Sequence, residues 1–222
     1  MTKKLTREES RQRNHDRLVD ATIRLLNRVG IGGLTTGAIA NLADLSQPAF
    51  YLYFKSIDEA LVAAAEKVSA HVRGTTQRAR LEATGLSSRA PLRDSYAIAV
   101  KTWLEEPGFI TLFVRHRRDR STPLGRKLGK LETEMRDELV ADLTAMGLKD
   151  TIPDLQLFAQ LTTASVLTTV ESLIDKRVKD TEAAIEDLTD AGIGLFLGLA
   201  SRRVTREVWL NWADTLLRLK TG

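Results

Sequence analysis

Cysteine is absent from all 222 residues, so neither a disulfide nor thiolate chemistry is available. That fits a reducing compartment, and a cytoplasmic location is the expectation. Aromatic residues make up only 5% of the chain, and there are five prolines and three histidines. His15, His71 and His116 lie far apart, and no metal-ligand spacing joins them. Neither a phosphate-binding glycine loop nor a nucleophile elbow is present. The reading is therefore not an enzyme, with no metal and no cofactor. No apolar h-region stands near residue 1, so no signal peptide is expected. The longest apolar-rich stretch read here, residues 191–200, falls far short of the roughly 20 residues of a membrane span.

What the chain does have is an ordinary globular balance, with 43% hydrophobic and 28% charged residues. The net charge is only +4, but its placement is uneven. Residues 1–55 hold nine Lys or Arg against five Asp or Glu, and the other 167 residues hold 24 of each sign. All the positive surplus sits in the first quarter, as expected if that end meets a polyanion. A solvated basic tail would give the same count.

Apolar residues recur mostly at helical spacing, and strand-like alternation is rare. A first helix is expected over residues 11–29, with Leu18, Ala21, Leu25, Leu26 and Val29 on one face and Gly30 stopping it. Thr35 suits the N-cap of a short second helix carrying Ile39 and Ala40. Ser46 suits the N-cap of a third, with Pro48 in the first turn. Ser56 and Glu59 read as a capping box opening a fourth. Residues 85–91 read as a loop. Further helices are expected over residues 92–104, around Phe109–Phe113, and over residues 124–146, 154–177, 181–199 and 205–219. The fold class is all-α, with about nine or ten helices.

Two short helices joined at Asp44, Leu45 and Ser46, packed on a third helix, make a helix-turn-helix. The second of the pair has the composition of a recognition helix. Gln47, Pro48 and Ala49 are small or polar enough to approach bases, and the free N–H groups at the helix start favour phosphate. Tyr51 and Tyr53 could place hydroxyls near phosphates or base edges, while Phe50 and Phe54 anchor the helix. For Tyr51, core packing and DNA contact both remain open. Arg11 and Arg13 read as part of a flexible phosphate-contacting arm.

This segment resembles the TetR-type transcriptional regulators. The resemblance is carried by Thr35, Ile39, Ala40, Ala43, Leu45, Ser46, Phe50, Tyr51, Tyr53, Phe54 and Leu61 in that spacing, and covers residues 11–65. It implies a DNA-binding domain, with Arg11, Arg13, Thr35, Thr36, Ser46, Gln47, Pro48, Ala49, Tyr51, Tyr53 and Lys55 facing double-stranded DNA. There are two departures. Asp44 stands where the family usually has the turn glycine, and Asp tolerates left-handed backbone. Ile57 stands where a lysine commonly meets phosphate, and Lys55 is the candidate to replace it.

Family likeness further implies a helical domain that dimerises through its last helices and takes a small effector. Leu195, Leu199, Val208, Trp209, Trp212 and Leu216 are the candidate homodimer interface. They suit an intramolecular core nearly as well. Arg115, His116, Arg117, Arg118, Asp119 and Arg120 form an arginine-rich run that could hold phosphate or carboxylate. Some fatty-acid-responsive TetR-like repressors carry a similar pattern, which makes acyl-CoA or a fatty acid the first effector reading. Its head would lie at Arg115, His116 and Arg117, and its tail among Leu112, Phe113, Phe158, Leu161 and Val166. The alternative is a salt-bridge network of the run with Asp119, Glu132 or Glu134.

The expected organisation is a flexible basic arm over residues 1–10, a helix-turn-helix domain over 11–58, and a ligand-binding and dimerisation domain over 59–222. The expected function is a ligand-responsive repressor that binds a palindromic operator as a homodimer. The alternative is a helical protein-protein interaction scaffold without specific DNA binding.

Overall fold

A computed structural model describes residues 6–82 and 89–201. They form nine α-helices: α1 (Arg7–Val29), α2 (Thr36–Leu42), α3 (Gln47–Phe50), α4 (Ile57–Glu82), α5 (Arg89–Leu104), α6 (Pro107–His116), α7 (Pro123–Ala145), α8 (Leu155–Ile174) and α9 (Thr181–Ala200). Short 3-10 turns at Ile31–Gly33 and Leu148–Asp150 follow α1 and α7.

The caps explain most boundaries. Thr35, Ser46, Thr122 and Asp154 each accept a hydrogen bond from a backbone N–H in the first turn of the following helix. Pro107 and Pro123 open α6 and α7, where a missing N–H costs nothing. The first helix begins one turn earlier than its apolar pattern indicates. Thr6 and Glu9 form a capping box there, so residues 7–10 are helical and Arg11 and Arg13 ride on α1 rather than on a flexible arm. At α4 the box is modified: Glu59 N–H donates to Ser56 Oγ at 3.2 Å, but the Glu59 carboxylate reaches back to Lys55 N–H at 2.7 Å. Residues 89–91, read as loop, belong to α5. The α8 helix stops at Ile174, and Lys176 beyond it is left-handed, with φ of 57°. The expected helix over residues 205–219 lies outside the described residues.

The α4 helix runs from the short N-terminal helices to the centre of the bundle, packing on α1 at one end and on α5 and α7 along its length. The α8 helix sits among α5, α6, α7 and α9. By length and composition, with a mean hydropathy of 1.3 over its apolar window, it is the one helix among the described residues that could cross a membrane. Its threonines and serines break the sequence into short apolar pieces, so no long apolar run marks it. Two hydrophobic clusters hold the chain together. The larger is continuous from Leu18 on α1 through Phe50, Leu61, Trp103, Phe113 and Leu128 to Leu188 on α9. The smaller lies at the far end of α7, α8 and α9, around Leu143, Ile152, Phe158 and Leu199.

Candidate nucleic-acid interface and the cavity behind it

The short helices are set by their buried side chains. Ile39, Ala40 and Phe50 are fully buried and Phe54 nearly so. The Phe50 and Phe54 rings lie 5.7 Å apart, and His15 of α1 covers Phe54 at 5.0 Å. Between α2 and α3, Asp44 takes a left-handed backbone with φ of 49°, the conformation that a glycine would adopt most readily. Its exposed carboxylate accepts from Arg17 of α1 at 2.7 Å. Asp44 therefore serves the turn and ties it to the supporting helix.

With Phe50 turned inward, the opposite face of α3 is open. Gln47 Nε2 donates to Thr36 Oγ1 at 2.9 Å, and the Thr36 and Tyr51 hydroxyls lie 3.5 Å apart. Tyr51 is 54% exposed and meets the edge of Phe50. That settles its place: it is a surface residue resting on the core. Ser46, Gln47 and Pro48 are exposed, and Thr36 and Ala49 are half-buried beside them. Tyr53 is half-buried against the core, and Lys55 is exposed. Thr35 spends its hydroxyl on capping α2. Ile57 packs against the core. Leu52, which sequence reading passed over, is 74% exposed next to Tyr51. Polar groups that can donate and accept thus crowd one exposed edge, raised on an aromatic foot.

Behind this surface, α4, α5, α7 and α8 enclose a cavity of about 90 Å³ that opens to solvent at one side. Its apolar wall includes Val72, Trp103, Val166 and Leu167, and its polar groups include Arg73, Arg80, Tyr96, Glu138 and Thr162. Burial pushes the Tyr96 phenol up, and the nearby Thr162 side chain partly offsets this. The Tyr96 hydroxyl occupies the space that a Cβ on Gly192 of α9 would fill.

The cavity touches α6 through stacked rings. Trp103 lies parallel to Phe109, with ring centroids 6.1 Å apart, and meets Phe113 at 5.6 Å. The start of α6 is clasped to α1. Asn27 Oδ1 accepts from Gly108 N–H at 2.8 Å, and Asn27 Nδ2 donates to the Glu106 carboxylate. Gly108 permits this approach, because a Cβ there would overlap the Leu26 carbonyl.

The residues expected to hold an acyl-CoA are not gathered around one space. Leu112 and Phe113 are buried in the larger core, Phe158 belongs to the smaller one, and Leu161 is exposed. Of that set, only Val166 lines the cavity. Arg117 is 11% exposed and is consumed by Glu132 at 2.9 Å and by the Val114 carbonyl at 2.6 Å. Arg115 borders a separate cleft of about 20 Å³ with Glu171 and Asp175, and His116 is half-buried. Asp119 is held below the usual carboxylate range by the Ser121 side chain and N–H, with smaller help from His116 and Arg126. Of the alternative reading, a salt-bridge network of the run, the structure shows one ion pair, Arg117 with Glu132. Among the interface candidates, Leu199 is buried in the chain's own smaller core and Leu195 packs against it. Val208, Trp209, Trp212 and Leu216 lie outside the described residues. Among the described residues no group of three His, Cys, Asp or Glu could hold a metal ion.

Comparison with known proteins bears on the same segment. Residues 18–65 match the family model of the bacterial regulatory proteins, tetR family. No curated protein sequence matches the chain. Among solved structures, a protein from Mesorhizobium loti MAFF303099 assigned to the TetR-family transcriptional regulators superposes with a TM-score of 0.71 at 16% identity, covering 87% of this chain and 98% of its own. A TetR family regulator from Marinobacter aquaeolei VT8 gives 0.63 at 18%, covering 85% and 97%. The fatty acid degradation regulator FadR from Bacillus halodurans gives 0.64 at 16%, covering 81% and 98%. At these identities the likeness is one of fold.

Proposed function

Given that residues 18–65 carry the tetR-family helix-turn-helix segment within a TetR-type all-α fold, we propose that the protein is an effector-responsive repressor that binds a palindromic operator as a homodimer. The observation that carries this is the Gln47–Thr36–Tyr51 group, held on the exposed edge of α3 by the buried Phe50 and Phe54. A glutamine amide so placed can pair with an adenine edge in the major groove, while hydroxyls and first-turn N–H groups hold phosphates. The surplus of four positive charges in residues 1–55 supplies the non-specific attraction.

A two-fold partner would put two α3 helices in successive major grooves, about 34–36 Å apart. The exposed faces of α8 and α9 support such a pairing. Leu161, Ala164 and Thr168 on α8, and Ala191, Gly194 and Gly198 on α9, are exposed, uncharged and spaced along one side of each helix. Only 28% of the apolar window of α8 is buried within the chain, although the helix is strongly apolar. A second copy would cover it.

The cavity between α4, α5, α7 and α8 is the site we assign to the effector. An acyl-CoA or fatty acid headed by the arginine run lacks a connected tail site, as described above. Occupancy would press on Trp103, and through Phe109 on α6, whose start is fastened to α1 by Asn27. An effector that fits two α6 positions unequally would shift operator affinity by that difference.

A gel shift with the DNA upstream of the protein's own gene tests the DNA-binding half. A discrete, salt-sensitive complex is expected, and Gln47→Ala with Tyr51→Ala should weaken it by roughly 1–3 kcal/mol per lost base contact. A complex that survives the double change intact would mean that the recognition surface has been misplaced.

A further inference from the structure

The charges around the cavity are not equally satisfied, and the imbalance points to the kind of molecule it takes. Arg80 is 17% exposed and donates through Nε and Nη2 to Asp142, at 3.0 and 2.6 Å. Gln77 also donates to Asp142, at 3.2 Å. Arg73 gives its short bond, 2.6 Å, to Glu134, which also has Lys130 at 3.7 Å. Neither Asp142 nor Glu134 lines the cavity. Both lining cations are thus neutralised from outside it. The lining carboxylate, Glu138, has from Arg73 only a 3.5 Å approach by Nε. Its side chain is 38% exposed, whereas Trp103 and Leu167, also in the lining, are each 2% exposed.

We propose that the effector is a compact apolar molecule bearing a cationic amine. The amine pairs with Glu138 at the mouth, and the apolar body enters between Trp103, Val166 and Leu167. This rests on reading the cavity as the effector site. An ammonium would complete the coordination of Glu138, which has only the long approach from Arg73. A carboxylate would meet Glu138 and find both guanidinium groups already engaged. The volume of about 90 Å³ limits the buried part to about one small ring.

Three probes of one shape separate these cases: benzylamine, benzyl alcohol and benzoate, titrated into the full-length protein by calorimetry or ligand-observed NMR. Benzylamine should bind at least tenfold more tightly than benzoate and several-fold more tightly than the alcohol. Glu138→Gln should reduce the preference for amine over alcohol to within twofold and leave the alcohol's affinity unchanged. Benzoate binding as well as benzylamine, or an amine affinity indifferent to Glu138→Gln, would overturn the proposed chemistry while leaving the cavity as a binding site. Binding of none of the three would refute the cavity as the effector site. A gel shift on the same sample then shows whether the DNA-binding reading stands by itself.

Discussion

Replacing Asn27 by Ala removes the side chain that clasps α1 to the start of α6. Two bonds are lost. The first satisfies the Gly108 N–H, one of the otherwise unpaired donors in the first turn of α6, and acts as a cap supplied from another helix. Such caps contribute about 1 kcal/mol. The second runs to the Glu106 carboxylate, and a bond to a charged group contributes about 1.5 kcal/mol or somewhat less where water can replace it. Together they amount to about 2 kcal/mol. For a chain of this length that corresponds to a fall of about 4–8 °C in melting temperature. Thermal unfolding followed by circular dichroism measures it, and a double-mutant cycle with Glu106→Ala isolates the shared part. The cycle should show a coupling of at least about 0.5 kcal/mol, as residues in direct contact do. In the operator assay, the effect of any active effector should shrink in Asn27→Ala, because α6 can then move without carrying α1. A melting temperature within about 1 °C of the parent, or strictly additive single changes, would refute the clasp.

Three other changes probe other parts of the argument. Asp142→Ala leaves Arg80 in a mostly buried place without its carboxylate, and denaturant unfolding should show a loss of about 3–5 kcal/mol, with Gln77→Ala costing far less. Between α5 and α9, Glu182 is lowered by Lys101 and then Arg93, and Glu186 by Arg93 and then Arg89. Folded-state values below the ordinary range mean that this contribution is complete above the usual glutamate range and is lost as pH falls through the lowered values. The double change to Gln should therefore flatten the acid side of the stability curve, and an unchanged slope would show that these two carboxylates contribute nothing. Leu161→Glu with Gly194→Glu should yield a monomer by light scattering and weaken operator binding, whereas a dimer of unchanged mass would exclude the α8–α9 face.

The helical order, the turn at Asp44 and the caps at Thr35, Ser46 and Ser56 were legible in the chain because they depend on neighbours within four residues. So was the inward role of Phe50 and Phe54. Arg11 and Arg13 were misread as part of an arm because the start of α1 is set by Thr6 and Glu9, which lie outside its apolar stripe. The exposure of Tyr51 could not be read, because a tyrosine beside Phe50 can either bury its ring in the core or lay it on the core's edge with the hydroxyl outward. The cavity was invisible for a different reason. It is built by Arg73, Trp103, Glu138 and Val166 from four helices, and no spacing along the chain joins them. The arginine run is the more conspicuous feature in sequence, and of the acidic partners read for it, Glu132 is the one that engages Arg117.

The larger hydrophobic cluster passes without a break from Leu18 to Leu188, so the boundary drawn at residue 58 is one of chemistry and not of folding. Leu61, Val68 and Val72 of α4 complete both sides of it. A fragment ending near residue 58 would leave Leu18, Leu26 and Phe50 partly uncovered, and should not reach the native state alone. In hydrogen exchange, the amides of α1 and of mid-α4 should open together in one cooperative event. Substitutions near Trp103 or Phe109 would then lower the population of the folded α2–α3 surface even where they do not touch it. The proposed regulation and recognition would draw on a common reserve of stability, and selection on either would be constrained by the other.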